Sequence, residues 1–372
     1  MELKWNIEKN FIFGYNIDLI STNTIKKVYL FDLDYTLIKT KSGKKFPQSK
    51  SDWELLFPNI PIKLAEFDNL SVLVGIISNQ KGLRNQVEIS DWIDKINNIS
   101  KTIRLDFVFA SIIDDRFRKP MGGSYEFIKT QFVNIKWNEL VSKSKIYYIG
   151  DACGRKNDFT DTDLKYAINC EFKFKTPEVF FGIENSDKSA SITYPILNYF
   201  DLPEQTKLFD QLSNLIQNHK KILIITIGLP ASGKSFLRKE LVKRFPQFTY
   251  SNNDDIHNHV QSRMLVKKIT SDYDFIIDDN TNLKKSDRDE KLKIFESYYK
   301  IQIWFDLELD VCFHLNWMRM YWFGAKLLPK VSYYTLNKKF DSTNLDKGFD
   351  KFIVIKKLFR EFNLDDKIKY YF

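Results

Sequence analysis

The sequence contains few of the residues that mark several common protein classes. Its 372 residues include only 13 Gly, 10 Pro and 3 Cys, which excludes a collagen-like fibre, a low-complexity tract and a disulfide framework. The longest apolar runs, such as Ile222 to Ile227, are far shorter than the roughly 18 residues of a membrane-spanning helix. The amino-terminal residues also lack a signal-peptide pattern. We therefore expect a soluble intracellular protein without a membrane partner, in the nucleus or the cytoplasm.

The composition is that of a globular protein with a basic charge. Hydrophobic residues make up 43% and aromatic residues 15% of the chain, enough to fill the cores of two domains. Lys and Arg number 57 against 48 Asp and Glu, so the formal net charge is +9. A basic protein is favoured as a partner of polyanions such as nucleic acids, although charge alone is weak support.

Short apolar runs rich in Val, Ile and aromatic residues recur in both halves, each followed by a polar or glycine-containing turn. This pattern is typical of buried parallel strands. The runs are Val28 to Phe31, Val72 to Ile77, Phe107 to Ala110 and Ile146 to Ile149, then Ile222 to Ile227, Phe275 to Ile277 and Ile301 to Trp304. They predict an α/β protein with two doubly wound parallel sheets, and active sites at the carboxyl ends of the strands.

A polar segment near the middle of the chain predicts a domain boundary. It is followed by Pro203 and by apolar residues at helical spacing, namely Leu208, Leu212, Leu215 and Ile216. We predict one domain over residues 1–185, a linker and connecting helix over 186–219, and a second domain over 220–372. The alternative is that this segment is a surface helix of one continuous domain.

The first half carries polar residues after successive predicted strands. Asp32 and Asp34 follow the first strand, Ser78 the second, Lys119 the third and Asp151 the fourth. Such a set supplies what phosphoryl transfer through a covalent carboxylate needs. Asp32 can attack phosphorus, Asp34 can serve as acid and base, and Ser78 with Lys119 can neutralise the phosphoryl oxygens. Asp32, Asp34 and Asp151 can hold Mg²⁺; the alternative is that all are solvated polar residues at strand ends.

These residues resemble the haloacid-dehalogenase superfamily, and more closely the phosphatase domain of the polynucleotide kinase 3′-phosphatase family. The matching segments are residues 32–38, 42–47, 52–53, 58–61, 77–82, 148–155, 158–169 and 176–178. The resemblance implies that Thr36 and Asn79 also bind phosphate. Tyr35 stands where the superfamily usually carries Gly, which puts the geometry of this loop in doubt. No large cap domain fits between Leu37 and Val72, so the predicted site is open to a long substrate.

The second half contains a phosphate-binding loop. The segment from Gly228 through Ser232 and Gly233 to Lys234 and Ser235 matches G-x-x-x-x-G-K-[ST] and follows a predicted strand. Its backbone N–H groups and the next helix N-terminus predict a cradle for the phosphates of ATP. Lys234 is predicted to reach the β and γ phosphates and Ser235 to bind Mg²⁺.

The order of motifs beyond this loop resembles the kinase domain of the same family. The resemblance implies that Asp254 is the general base, that Arg288 contacts substrate or phosphate, and that Arg319 covers the ATP phosphates. Asp255 remains the alternative base, because the choice rests on the register of one short motif. Trp317 replaces another basic residue that the family usually carries in this lid.

The resemblance of both halves to this family, in this order, implies a bifunctional enzyme that heals nucleic-acid ends during strand-break repair. It would remove 3′-phosphates through an aspartyl-phosphate and phosphorylate 5′-hydroxyls with ATP, using Mg²⁺, with DNA favoured over RNA. We expect a monomer that acts before a ligase. The alternatives are a small-metabolite kinase fused to a phosphatase, and a non-catalytic nucleic-acid-binding scaffold.

Overall fold

The computed structural model describes residues 3–16, 25–68, 71–184, 202–252, 272–341 and 347–357 of the chain. These residues fall into two compact units, one before residue 185 and one from residue 202 onward. The exact limits of the predicted linker stay a prediction, because residues 185–201 lie outside the described residues.

The first unit is built on a seven-stranded sheet and a separate two-stranded hairpin. Its strands are β1 (Lys4–Ile7), β2 (Phe11–Tyr15), β3 (Lys27–Phe31), β4 (Ile38–Lys39), β5 (Glu54–Leu55), β6 (Val72–Asn79), β7 (Phe107–Ser111), β8 (Ile146–Ile149) and β9 (Lys173–Lys175). The order in the large sheet is β1-β2-β7-β6-β3-β8-β9. The five strands from β7 to β9 are parallel; four of them were predicted, and β9 was not. The hairpin β1–β2, which the sequence patterns did not predict, extends the sheet in antiparallel fashion.

Helices cover both faces of this sheet. They are α1 (Ile60–Ala65), α2 (Gln86–Ser100), α3 (Gly123–Gln131), α4 (Trp137–Ser142), α5 (Thr162–Asn169) and α6 (Pro177–Phe180). Successive side chains of β3 point to opposite faces: Tyr29 and Phe31 belong to one buried cluster, Val28 and Leu30 to another. Strand β3 is the middle one of the five parallel strands, and both of its faces are covered by apolar clusters. Its carboxyl end is therefore the place where a site is expected.

The second unit has five parallel strands. They are β10 (Ile222–Ile227), β11 (Thr249–Ser251), β12 (Phe275–Asp278), β13 (Tyr299–Phe305) and β14 (Lys351–Ile355), in the order β11-β12-β10-β13-β14. The strands predicted in this half are all present. The central strand β10 is buried along its whole length.

The described helices of the second unit are α7 (Leu202–Asn218), α8 (Lys234–Arg244), α9 (Lys285–Ile294), α10 (Leu309–Phe323) and α11 (Lys330–Lys338). The helical spacing predicted for α7 is confirmed, since Leu208 and Leu212 are buried in the core beneath β10. In the described part of the chain, every helix is too short or too polar to traverse a bilayer.

Candidate active sites

Three carboxylates of the first unit converge where its parallel strands end. Asp32 follows β3, Asp151 lies two residues after β8, and Asp163 lies on α5. One oxygen from each lies within 4.8 Å of the others. The sequence predicted the first two from their strands, and Asp163 joins them because α5 returns to the sheet edge.

Lys119 lies in the middle of this cluster. Its ammonium donates to Asp32 Oδ1 at 2.8 Å, Asp163 Oδ1 at 2.7 Å and the Tyr148 hydroxyl at 2.6 Å. Burial by itself lowers the pKa of Lys119, but the two carboxylates outweigh burial and raise the pKa. The lysine is therefore charged and compensates two of the three carboxylates.

Asp34 lies beside the cluster in a different environment. Gln80 Nε2 donates to Asp34 Oδ2 at 2.8 Å and to Ser78 Oγ at 2.9 Å. Burial raises the pKa of Asp34, and the charge of Lys95 partly offsets the rise. A raised pKa favours the protonated carboxyl, which suits the predicted acid role.

The residues present fit the predicted metal site. Burial, together with repulsion from Asp32 and Asp163, raises the pKa of Asp151 to about 8. A divalent cation would relieve this repulsion, and carboxylate oxygens are the ligands that Mg²⁺ prefers. The Asp34 carboxylate lies outside this group of three and accepts from Gln80, and its predicted role as a metal ligand stays a prediction.

Asp163 is the third carboxylate of the cluster, and both of its oxygens already accept hydrogen bonds. Oδ1 accepts from Lys119, and Oδ2 accepts from the backbone N–H of Ala152 at 3.1 Å. We therefore assign Asp32 and Asp151 as the candidate Mg²⁺ ligands and Asp163 as the partner of the lysine.

Two predicted phosphate contacts have other partners in the structure. The Asn79 side chain accepts from the Lys119 backbone N–H at 2.9 Å and donates to the Lys119 carbonyl at 3.0 Å. Its amide thus clamps the backbone that carries the lysine and is not directed at a phosphate. Thr36 is buried, and its hydroxyl donates to Asp151 Oδ1 at 3.3 Å. Both contacts orient charged residues of the site.

Arg155 braces the loop that carries Asp151. Its Nη2 donates to the Asp151 carbonyl at 3.1 Å, while its Nε donates to Asp158 at 2.9 Å. Glu178 accepts from Nη1 at 3.3 Å. The sequence motif contained Arg155, but only the folded loop shows that it holds a metal-site carboxylate in place.

Tyr35 has the backbone conformation that its unusual position suggested. Its φ is +57°, in the left-handed region that glycine enters freely and other residues enter at a cost of roughly 1–2 kcal/mol. The ring is partly exposed, and its hydroxyl donates to the Lys45 carbonyl at 3.4 Å. The loop therefore keeps a glycine-like shape despite the tyrosine.

The phosphate-binding loop of the second unit has the predicted context. It joins β10 to α8, and Gly228 and Gly233 have φ values of +153° and +101°. A Cβ on Gly228 would come within 2.9 Å of Ser232 Oγ, so glycine is required there. Ser235 lies exposed in the first turn of α8, where a phosphate-bound cation could be reached.

Lys234 folds back over this loop. Its ammonium donates to the carbonyls of Gly228 at 3.0 Å and Leu229 at 2.7 Å, and to Ser232 Oγ at 3.4 Å. These contacts place the charge inside the concave loop in which the β and γ phosphates are predicted to bind.

Polar side chains at the end of β12 form the next layer of this site. Asp278 accepts from Asn280 at 2.6 Å, from Asn282 at 2.7 Å and from Lys291. Asp279 pairs with Arg238 of α8 at 2.9 Å. Arg238 was not predicted, since a lone Arg one turn beyond the loop gives no sequence signal.

Arg288 does not lie where a substrate contact would place it. Its guanidinium is fully buried and donates to the carbonyls of Asn282 and Leu283, each at 2.9 Å, and of Asp341 at 3.3 Å. The side chain thus supports the turn after β12. The predicted substrate contact is not supported by this position.

Helix α10 carries the predicted lid arginine. Arg319 is exposed on this helix. Asn316 binds Leu328 through its Nδ2 at 2.9 Å and its Oδ1 at 3.3 Å. Tyr333 of α11 donates to the carbonyl of Pro230 in the phosphate-binding loop at 3.3 Å. These contacts tie the lid region to the loop.

The predicted general base cannot be placed. Asp254 and the alternative Asp255 lie outside the described residues, which resume at residue 272. Strand β11 ends at Ser251, which pairs in register with Asp278 at the carboxyl edge of the sheet. The base assignment stays a prediction.

The sequence is similar to known proteins of one family. The family model for polynucleotide kinase 3 phosphatase matches residues 27–181. The bifunctional polynucleotide phosphatase/kinase of Schizosaccharomyces pombe is 28% identical over 368 residues, covering 94% of this chain and 83% of that protein. A putative bifunctional polynucleotide phosphatase/kinase of Acanthamoeba polyphaga mimivirus is 26% identical over 380 residues, covering 91% of this chain and 87% of that protein. The polynucleotide 3′-phosphatase of Saccharomyces cerevisiae is 33% identical over 208 residues, covering 41% of this chain and 87% of that protein. The chain belongs to the polynucleotide kinase 3′-phosphatase family.

Proposed function

We propose that this protein is a bifunctional nucleic-acid end-healing enzyme, with a 3′-phosphatase in the first unit and a 5′-hydroxyl kinase in the second. The observation that carries the proposal is the presence of two phosphate-handling sites in one chain. One is the Asp32, Asp151 and Lys119 cluster, and the other is the loop from Gly228 to Ser235.

In the first site, Asp32 attacks the phosphorus of a 3′-phosphate and the bond from phosphorus to O3′ breaks. Asp34 gives its proton to O3′ as that oxygen leaves. Asp34 then takes a proton from water, whose oxygen displaces Asp32 and releases inorganic phosphate. Mg²⁺ held by Asp32 and Asp151 would supply charge neutralisation at the phosphoryl oxygens, a role shared by Lys119 and Ser78.

In the second site, the γ-phosphate of ATP passes to a 5′-hydroxyl. We assign proton removal from that hydroxyl to Asp254, and phosphate binding to Lys234 and the backbone of its loop. Arg319 is assigned to cover the phosphates from α10. Lys234 must exchange its loop carbonyls for phosphate oxygens when ATP binds.

The products of the two reactions, a 3′-hydroxyl and a 5′-phosphate, are the ends that a ligase joins. We therefore place the enzyme in strand-break repair, before a ligase, as a monomer acting inside the cell. DNA is the favoured substrate, and the net charge of +9 supports binding to a polyanion of either kind.

The test is an end-labelled assay on matched DNA and RNA duplexes that carry 3′-phosphate and 5′-hydroxyl ends, with Mg²⁺ and ATP. Asp32→Asn should abolish only 3′-phosphate removal, and Lys234→Ala only 5′-phosphorylation. The ratio of rates on DNA and RNA identifies the preferred substrate. A wild-type protein that alters neither end would refute the proposal and favour small-molecule substrates.

A further inference from the structure

All three N–H donors of Lys119 are used in the structure. The acceptors are Asp32, Asp163 and the Tyr148 hydroxyl, at 2.8, 2.7 and 2.6 Å. Two of these partners, Asp163 and Tyr148, are almost completely buried, whereas the Asp32 side chain keeps 15% of its surface exposed. Only the contact with Asp32 therefore faces the space in which a substrate can bind.

The Tyr148 hydroxyl has a defined direction in this arrangement. Burial raises the pKa of Tyr148 well above its ordinary value, so the phenol is neutral and has one proton to donate. The carbonyl of Ile77 accepts that proton at 3.0 Å, and Asp163 Oδ1 is a more distant acceptor at 3.3 Å. The oxygen lone pairs are thus left to accept from Lys119.

We propose that Tyr148 is a positioning residue for Lys119 in the phosphatase reaction. Together with Asp163 it holds two of the three N–H donors, so that the third alone points at Asp32 and at the phosphoryl group being transferred. This inference rests on the proposed phosphatase function.

The physical reason is the rotation of an ammonium group. With one fixed acceptor the lysine side chain can still move Nζ around that acceptor, while two fixed acceptors restrict both the position of Nζ and the rotation about Cε–Nζ, and so direct the remaining N–H. When Asp32 forms the aspartyl-phosphate, the charge of its carboxylate is lost, and the third N–H donor of Lys119 is released to a phosphoryl oxygen. The other two contacts stay in place, so the charge does not have to reorganise during the reaction.

Tyr148→Phe removes one oxygen and leaves the ring in place. We expect kcat for 3′-phosphate removal to fall about tenfold with KM changed less than about twofold, because the hydroxyl does not touch substrate. The kinase rate of the same protein should be unchanged. Loss of kcat no larger than twofold would overturn the inference.

Tyr166→Phe is a matched control. Tyr166 is equally buried, and the centroid of its ring lies 5.0 Å from that of Tyr148. Its hydroxyl oxygen lies 2.9 Å from Ser124 Oγ. This variant loses the same oxygen from the same core without touching Lys119, so its phosphatase kcat should equal that of the wild type. Equal losses in the two variants would mean that Tyr148 has only a structural role.

A double-mutant cycle tests whether Tyr148 acts on the phosphatase rate through Lys119. In a Lys119→Met background, Tyr148→Phe should cause no further loss of the residual activity, since the group that it positions is gone. A full tenfold loss in that background would refute the positioning role. Wild-type protein without phosphatase activity would instead refute the proposed function itself.

A measurement on the wild-type protein covers the case in which Tyr148→Phe does not fold. In ¹H–¹⁵N spectra of lysine ammonium groups, Lys119 should give a resonance with slow exchange, assigned by its absence in Lys119→Arg. An ammonium with three buried or half-buried acceptors is protected from water. Fast exchange of the Lys119 ammonium protons with water would contradict the two buried hydrogen bonds to Tyr148 and Asp163.

Discussion

The two units hold their central lysines in opposite ways. Lys119 lies among side chains that are distant in sequence, with Asp32 87 residues before it and Asp163 44 residues after it. Lys234 donates to oxygen atoms of its own loop, no more than 6 residues away. The first site is thus a product of the whole sheet, while the second is a local property of one loop and one helix start.

This difference has an energetic consequence. Lys119 compensates buried carboxylates, and removing one partner of such a group leaves charge without compensation. The loop atoms that accept from Lys234 are neutral carbonyls and a hydroxyl, which can turn to water or to each other. Substitution of the two lysines should therefore have unequal effects on folding, although each should abolish one activity.

The largest expected effect is that of Lys119→Met. We expect loss of 3′-phosphatase activity by more than about a thousandfold, and a fall of about 3 kcal/mol in the free energy of unfolding of the first unit. Lys234→Met should abolish kinase activity and change the free energy of unfolding of the second unit by less than about 1 kcal/mol. Urea unfolding followed by the fluorescence of each unit measures the stability change of each variant, and the 3′-phosphatase and kinase rates measure its loss of activity.

Lys129→Met serves as the control for this comparison, because its ion pair with Glu126 at 2.8 Å is partly exposed. It should change stability by less than about 1 kcal/mol. Equal destabilisation by Lys119→Met and Lys234→Met would remove the distinction between the two sites.

The second prediction concerns pH and Mg²⁺ at Asp151. Its pKa is raised to about 8 in the folded protein, against an ordinary value of 3.8. Between these values the folded chain binds a proton that the unfolded chain has lost, so the free energy of unfolding falls as pH rises, by at most about 1.4 kcal/mol per pH unit. Mg²⁺ replaces the proton, and should therefore stabilise the protein more at pH 8.5 than at pH 6.

Thermal unfolding in EDTA and in Mg²⁺ at the two pH values measures this linkage. Asp151→Asn carries no titrating carboxyl and should lose both the pH-dependent decline and most of the stabilisation by Mg²⁺. A wild-type protein that gains equal stability from Mg²⁺ at both pH values would contradict the assignment of Asp151 as a ligand.

The third prediction concerns the clamp on the Lys119 backbone. Asn79→Ala removes both hydrogen bonds to that residue, and we expect a loss of about tenfold in phosphatase kcat with kinase activity unchanged. Steady-state rates at saturating 3′-phosphate oligonucleotide measure it. Asn98→Ala, at an exposed position of α2, should have no effect on either rate. An increase confined to KM would favour the direct phosphate contact predicted from the sequence.

The smallest expected effect is in the second unit. Tyr333→Phe removes the hydrogen bond to the Pro230 carbonyl, at 3.3 Å, which links α11 to the phosphate-binding loop. Because the loop conformation is determined largely by its own glycines, we expect KM for ATP to rise only about threefold. ATP titration of the kinase rate measures it, and a change above about thirtyfold would mean that the loop depends on its surroundings as much as the first site does.

The strands and the phosphate-binding loop were predictable because their causes are local. Runs such as Val28 to Phe31 alternate between two apolar faces, and the loop from Gly228 requires glycine where its Cβ would collide with Ser232. The hairpin β1–β2 was not predictable in the same way, since its pairing with β7 depends on contacts about 100 residues apart in the sequence.

The side-chain roles in the first site were only partly predictable. Asp32 and Asp151 were placed correctly because each follows a parallel strand. Asp163 and Tyr148 lie in segments that match the family, but neither was assigned a role, because one lies on a helix and the other inside a strand, where a tyrosine is usually core. Asn79 was assigned to phosphate, and only the fold shows that its amide is bound by the Lys119 backbone.

The sequence by itself thus determined the α/β class, the order of the two sites, and the positions of Asp32 and of the glycine-rich loop at strand ends, since each depends on patterns within a few residues. Tertiary structure alone decided which acceptors surround Lys119, why Asp34 is separated from the carboxylate cluster and why Arg288 is buried. Those outcomes depend on which strand ends and helices meet, and burial there determines which charges must be paired.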